Sequence, residues 1–116
     1  DDSKTFAAKM EALCKGYNLN TIVCYEPLKA LEIVKQRPNL KLILVDYNMP
    51  KMNGIEFTTE IRKQYKKDEL SIIALSGASE KEVVSSFLKV GANDFIYKDF
   101  EIDEFVARVP CKNSTE

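Results

Sequence analysis

LILVDYNMPKMNGIEF, residues 42–57, is the stretch on which the fold turns. Its first part continues an apolar run that begins at Leu40 and is broken only by Lys41. A run this short, with proline and glycine close behind it, fits a strand buried on both faces better than a helix. The run ends at Asp46. Pro50, Asn53 and Gly54 then supply a loop, since proline and glycine punctuate regular structure and asparagine favours turns. Helical spacing returns beyond them and predicts a helix from about Ile55 to Lys66.

A strand leading through a polar loop into a helix is half of a βαβ unit, and the rest of the chain repeats the alternation. Ser3 can cap a helix carrying Phe6, Met10 and Leu13, which Gly16 ends. Thr21 to Tyr25 is β-branched and apolar, so it predicts a strand. Pro27 suits the first turn of the next helix, with Leu28, Leu31 and Val34 along one side. Ser71 to Leu75 is a second buried strand, ending at Ser76-Gly77. Ser79 caps a helix bearing Val83, Val84, Phe87 and Leu88, closed by Gly91. Phe95 to Tyr97 is a short strand ending at Lys98, and Ile102, Phe105, Val106 and Val109 form a last apolar stripe, stopped by Pro110. The expected architecture is a doubly wound α/β parallel sheet, with Val45, Ile73, Ala74 and Leu75 in its core.

Composition removes several classes of function. The chain is 116 residues long, which is the size of one domain. Its net charge is −1, which gives no basic footprint for nucleic acid and no polybasic patch for a membrane. No apolar run reaches the ~18 residues of a membrane span. The cysteines, Cys14, Cys24 and Cys111, are odd in number and far apart, which argues against a disulfide framework and for a reduced, cytoplasmic setting. Cys14 and Cys24 lie among apolar residues and are expected to be small core side chains. Histidine is absent, so Ser-His-Asp and Cys-His nucleophiles are excluded, along with histidine metal sites. Any chemistry must run on carboxylates, hydroxyls, lysine and backbone groups.

In open α/β sheets ligands bind beyond the carboxyl ends of the strands. Asp46, Ser76 and Lys98 all stand at such ends, and Asp1-Asp2 would follow a further strand expected to precede Asp1. Clustered carboxylates repel one another, and a hard cation such as Mg²⁺ relieves that repulsion. A carboxylate can also accept a phosphoryl group, whose oxygens then need cationic and hydroxyl partners such as Lys98 and Ser76. Singly, each has an ordinary structural explanation: Asp46 as a turn residue, Asp1-Asp2 as a helix N-terminus, Ser76 as a turn and Lys98 as a solvated charge. Their joint occurrence at successive strand ends carries the functional expectation.

These segments resemble the receiver domains of response regulators. The 42–57 stretch resembles the family's phosphorylation-site segment, with Asp46 in the acceptor position and Met49, Pro50 and Gly54 in its loop. IIALSGA, residues 72–78, resembles the strand carrying the switch hydroxyl, and GANDFIYKDF, residues 91–100, the segment holding the family's lysine. Asp1-Asp2-Ser3 is similar to its acidic pair. The resemblance implies a flavodoxin-like fold in strand order 2-1-3-4-5, with the strand expected before Asp1 at its centre. It implies phosphorylation of Asp46, with Ser76 and Lys98 as its partners. Mg²⁺ would be held by Asp2, Asp46 and the Asn48 carbonyl, with Asp1 acting through water. It also implies a switch formed by Ser76 and Phe95.

One departure is Lys98-Asp99-Phe100 where the family has Lys-Pro-Phe with a cis bond. A cis bond before a non-proline residue costs roughly 2.5–4 kcal/mol, so the loop is expected to be trans. The resemblance further implies a sensor histidine kinase or phosphotransfer protein as donor and an output domain in the parent chain. Residues 1–110 would form the receiver, truncated at its start, and residues 111–116 a linker. The signalling face would comprise residues 79–90, 95–97 and 101–109. Asp94 and Arg108 resemble one charge pair of a dimerising subfamily and Glu104 matches half of another, whose basic partner falls on Val84. At most a weak homodimer is therefore expected. No direct nucleic-acid or membrane contact is expected. The alternatives are a receiver-like interaction module that is never phosphorylated and a phosphatase of the haloacid-dehalogenase kind. The latter needs a second Asp at position 48, which is Asn, and self-phosphorylation is not enzymatic turnover.

Overall fold

The strand read from residues 42–57 is β2 (Leu42–Asp46), buried at every position. In the computed structural model, which describes residues 21–24, 26–77 and 81–97 together with the exposed helical residues Ala8 and Ala12, it is an interior strand. β1 (Thr21–Cys24) and α1 (Pro27–Gln36) precede it; α2 (Gly54–Arg62), β3 (Ser71–Ser76), α3 (Lys81–Lys89) and β4 (Asp94–Tyr97) follow. The sheet order is β1-β2-β3-β4 and all three pairings are parallel.

Register aligns Ile22, Ile43 and Ile72 in one row and Val23, Leu44 and Ile73 in the next. Successive rows face opposite sides of the sheet. Ile43, Val45, Ile72 and Ala74 join Ala30 and Val34 of α1, Phe57 and Ile61 of α2 and Phe87 of α3 in one core cluster. On the other side Leu42, Leu44, Ile73, Leu75 and Ile96 are buried as well. Burial on both faces is what a doubly wound sheet requires, and it explains why β2 and β3 are apolar without alternation. Each fully buried Ile or Leu contributes about 1.5–3 kcal/mol. All of the expected core residues Val45, Ile73, Ala74 and Leu75 are in it.

The resemblance puts a further strand between β1 and β2. Here these two are hydrogen-bonded directly to each other, Thr21 opposite Leu42 through Cys24 opposite Val45, so each strand serves the facing backbone groups of the other.

Helix boundaries and faces differ from the sequence expectation at three points. α1 buries Pro27, Ala30 and Val34, while Leu28 is 51% exposed, because the stripe runs i, i+3, i+7 from Pro27 and leaves Leu28 on its far side. On α3, Val84 and Phe87 are buried but Leu88 is 40% exposed. α2 stops at Arg62, not near Lys66. The Arg62 guanidinium takes the carbonyls of Tyr65, Lys66 and Leu70 at 3.2, 3.2 and 2.8 Å and so organises residues 63–70 as a turn. Gly91 closes α3 at φ 115°, a conformation open to glycine, with Ala92 N donating to Phe87 O at 3.0 Å.

Candidate functional site

Asp46 is the last residue of β2 and is 3% exposed, a carboxylate at the end of an otherwise apolar strand. Its register partner on β3 is Leu75, and the next residue along that strand is Ser76, which is fully buried. Parallel pairing therefore brings Asp46 and Ser76 to the same edge on adjacent strands. Ser76 in turn pairs with Tyr97, the residue before Lys98. The Ser76 hydroxyl donates to the Gly77 carbonyl at 3.0 Å.

Phe95 lies opposite Ala74, one alternation before Ser76, so Phe95, Ala74 and Ser76 share a face. Phe95 is partly buried against the core, and Tyr97 meets it edge-on with ring centroids 5.3 Å apart. The two expected switch residues are thus neighbours on β3 and β4.

The loop between β2 and α2 is tightly specified. Asn48 N reaches back to Asp46 Oδ1 at 3.3 Å, a turn that aspartate makes with its own backbone two residues on. Met52 N donates to Pro50 O at 2.8 Å around Lys51, whose φ is 74°. This is a γ-turn with its central residue at positive φ, the rarer and strained form. α2 opens with a capping box in which Asn53 Oδ1 accepts from Glu56 N and Glu56 Oε1 accepts from Asn53 N, both at 2.9 Å. Gly54 N closes the loop onto Tyr47 O at 2.9 Å. Only glycine fits position 54: a Cβ there would stand 2.5 Å from the Asp46 carbonyl oxygen and 2.5 Å from Phe87 Cζ.

The strand-end rule reaches one residue that sequence reasoning treated only as core. Cys24 ends β1, so it belongs to the same edge. It is 1% exposed, and its thiol donates to Met49 Sδ of the β2–α2 loop at 3.5 Å. Its pKa is pushed up to about 12, chiefly by burial and further by the negative charge of Asp46, against a lowering from the Glu26 backbone. A thiol held protonated is a poor nucleophile and resists oxidation.

Asp1, Asp2, Lys98 and the Lys98-Asp99 bond lie outside the described residues, as do Glu104 and Arg108. Among the described residues no three Cys, Asp or Glu side chains gather into a metal site. The Asp46 carboxylate, with Asn48 N 3.3 Å from its Oδ1, is nevertheless a hard oxygen donor at a strand end, a donor type that suits Mg²⁺. Among the described residues no helix is long and apolar enough to cross a membrane.

Comparison with known proteins fits this arrangement. The response regulator receiver domain model matches residues 1–110, and the chain belongs to that family. It is similar to the transcriptional regulatory protein MalR of Bacillus subtilis, 40% identical over 76 residues that cover 66% of this chain and 31% of the relative. It is also similar to a chemotaxis protein CheY homolog of Campylobacter jejuni, 32% identical over 63% of this chain and 56% of that protein. The matches thus span between about a third and just over half of these relatives. Among solved structures, the receiver domain of the Francisella response regulator 1452 superposes with a TM-score of 0.73 at 30% identity, covering 93% of this chain and 87% of that one. A putative two-component system response regulator/GGDEF domain protein superposes with a TM-score of 0.68 at 38% identity, over 71% of this chain and 34% of that one. The chain is a receiver domain of a two-component response regulator, with the flavodoxin-like parallel sheet of that family.

Proposed function

We propose that this receiver takes a phosphoryl group onto Asp46 and that the modification switches a surface read by an output domain. The observation that carries the proposal is a buried carboxylate ending an apolar strand, with a buried hydroxyl at the end of the next strand. A carboxylate oxygen of Asp46 attacks the donor phosphorus. The donor's P–N or P–O bond breaks, and the leaving group departs with its electron pair and then takes a proton from solvent. The transfer consumes the acceptor, so the domain is a substrate of its own reaction and not a turnover catalyst.

Each site residue has a role that follows from its chemistry. The Ser76 hydroxyl exchanges the Gly77 carbonyl for a phosphoryl oxygen, and that exchange is the first movement of the switch. Phe95, beside it on β4, follows into the space released. Lys98 pairs its ammonium with the same phosphoryl group. Asp1, Asp2, Asp46 and the Asn48 carbonyl would hold Mg²⁺, which when bound offsets the negative charge that gathers on carboxylate and phosphoryl oxygens. A sensor histidine kinase or phosphotransfer protein is the donor, the setting is cytoplasmic, and the output domain lies elsewhere in the parent chain. Residues 1–110 form the switch and 111–116 lead on from it.

The deciding experiment is labelling with a small acyl phosphate. The unmodified chain should acquire an acid-labile phosphoryl group only with Mg²⁺ present, and Asp46→Asn should acquire none while keeping its thermal transition. A folded protein that takes no label under any Mg²⁺ concentration would instead be an interaction module switched by its partners alone.

A further inference from the structure

Phe87 connects the acceptor loop to α3 by a contact with no slack. The residue is fully buried, in the last turn of α3. Its ring lies where a side chain at position 54 would be, since a Cβ on Gly54 would come within 2.5 Å of its Cζ. That same Cβ would be 2.5 Å from the carbonyl oxygen of Asp46. Tyr47, the residue after Asp46, meets the Phe87 ring edge-on with centroids 6.4 Å apart and planes at 74°. Gly54 N to Tyr47 O, at 2.9 Å, ties the two ends of the loop together beneath the ring. The Asp46 carbonyl, the Tyr47 ring, the first turn of α2 and the last turn of α3 therefore form one packed unit.

A packed interior transmits displacement because it has no void to absorb it. Most buried phenylalanines would do no more than contribute hydrophobic area. What distinguishes Phe87 is its company, which is the acceptor residue's own backbone, the next side chain, and a glycine that admits not even a methyl group. The loop it presses on carries a strained γ-turn at Lys51 and the Asn48 carbonyl.

We propose that Phe87 is a positioning residue for the acceptor loop, acting in both directions. It holds Tyr47 and Gly54 so that Asp46 and Asn48 stay in register for phosphoryl transfer, and it passes the displacement of the loop on phosphorylation into α3. This path runs through the β2–α2 loop and does not involve Ser76 or Phe95. The inference rests on the phosphorylation of Asp46 proposed above.

Phe87→Leu removes the far end of the ring while keeping an apolar side chain. Tyr47→Leu breaks the same contact from the loop side, at a half-buried position that costs the core less. With the full chain, labelling by acetyl phosphate should fall about tenfold in each variant, the loss expected of a slightly misplaced acceptor. The Mg²⁺ concentration for half-maximal labelling should rise. Beryllofluoride with Mg²⁺ should alter hydrogen exchange of the α3 amides in the unmodified chain and leave them unaltered in both variants. Tyr47→Phe keeps the ring and should behave as the unmodified chain does. A merely structural role would lower the melting temperature of the variants and leave the Mg²⁺ dependence and the α3 response as they are, and that result overturns the inference. If Phe87→Leu does not fold, Tyr47→Leu decides by the same readouts. An unmodified chain that takes no label overturns the phosphorylation reading and this inference with it.

Discussion

At the amino edge of the sheet Arg62 donates to the carbonyls of Gly91 and Leu70 at 2.9 and 2.8 Å, and to Asn93 Oδ1 at 2.8 Å. The Asn93 oxygen also accepts from Ile72 N at 2.8 Å, and Asn93 Nδ2 donates to Lys67 O at 3.2 Å. One guanidinium and one amide thus bind the end of α2, the start of β3 and the α3–β4 turn together. The Arg62 pKa is lowered by burial, and its partners here are neutral carbonyls and an amide, so the edge is held by hydrogen bonds more than by charge pairing. The carboxyl edge is built otherwise. It ends in a buried carboxylate and a buried hydroxyl, and its loop holds a positive-φ lysine and a glycine with no room for a methyl group. The amino edge satisfies polar groups and so serves stability. The carboxyl edge accepts strain and desolvation, and it is there that the proposed phosphorylation would act.

Breaking the amino edge should show the largest effect on stability. Arg62→Ala leaves several carbonyls and Asn93 short of a donor and should cost roughly 2–3 kcal/mol. Urea denaturation should register that loss, while the rate of Asp46 labelling at saturating Mg²⁺ stays as in the unmodified chain. A labelling rate that collapsed with stability would mean that the two edges are not separable. Gly54→Ala attacks the other edge. Overpacking against the Asp46 carbonyl and the Phe87 ring should cost roughly 1–3 kcal/mol, and here labelling should fall as well. Retained labelling would place the tolerance of the loop elsewhere.

Two smaller effects sharpen the contrast. Lys51→Gly relieves the positive φ, at the expense of a more flexible unfolded chain, and should raise stability by about 1 kcal/mol at most. A decrease would show that the lysine side chain contributes more than its backbone costs. Ionisation of Cys24 has no effect near neutrality, where the thiol is protonated both folded and unfolded. Its folded pKa of about 12 exceeds the ordinary 9.0, so the stability it contributes is complete below about pH 9 and is lost as pH rises from there through 12. Stability measured from pH 8 to 11 should therefore fall more steeply for the unmodified chain than for Cys24→Ala. Parallel curves would remove the buried-thiol assignment. Native-state resistance of Cys24 to iodoacetamide at pH 8 is the companion measurement.

Much of this molecule is legible from hydrophobic period and strand-end residues. The apolar runs at 40–45 and 71–75 predict strands buried on both faces, and both are, although β2 begins only at Leu42. A parallel sheet aligns carboxyl ends, so residue order alone assigns Asp46 and Ser76 to one edge. Those inferences succeed because burial, chain direction and side-chain alternation are local properties that residue order already contains. What residue order does not contain is which distant groups meet. Only the folded chain brings Arg62 to Asn93 across the amino edge, lays the Phe87 ring over Gly54, and turns Cys24 toward Met49 beside Asp46. It also decided that α2 ends at Arg62 and that Leu28 and Leu88 face outward, because a helix stops and turns according to what its neighbours leave for it. Period and chain direction determined the sheet and the edge of the site; packing between segments far apart in sequence decided what holds that edge in place.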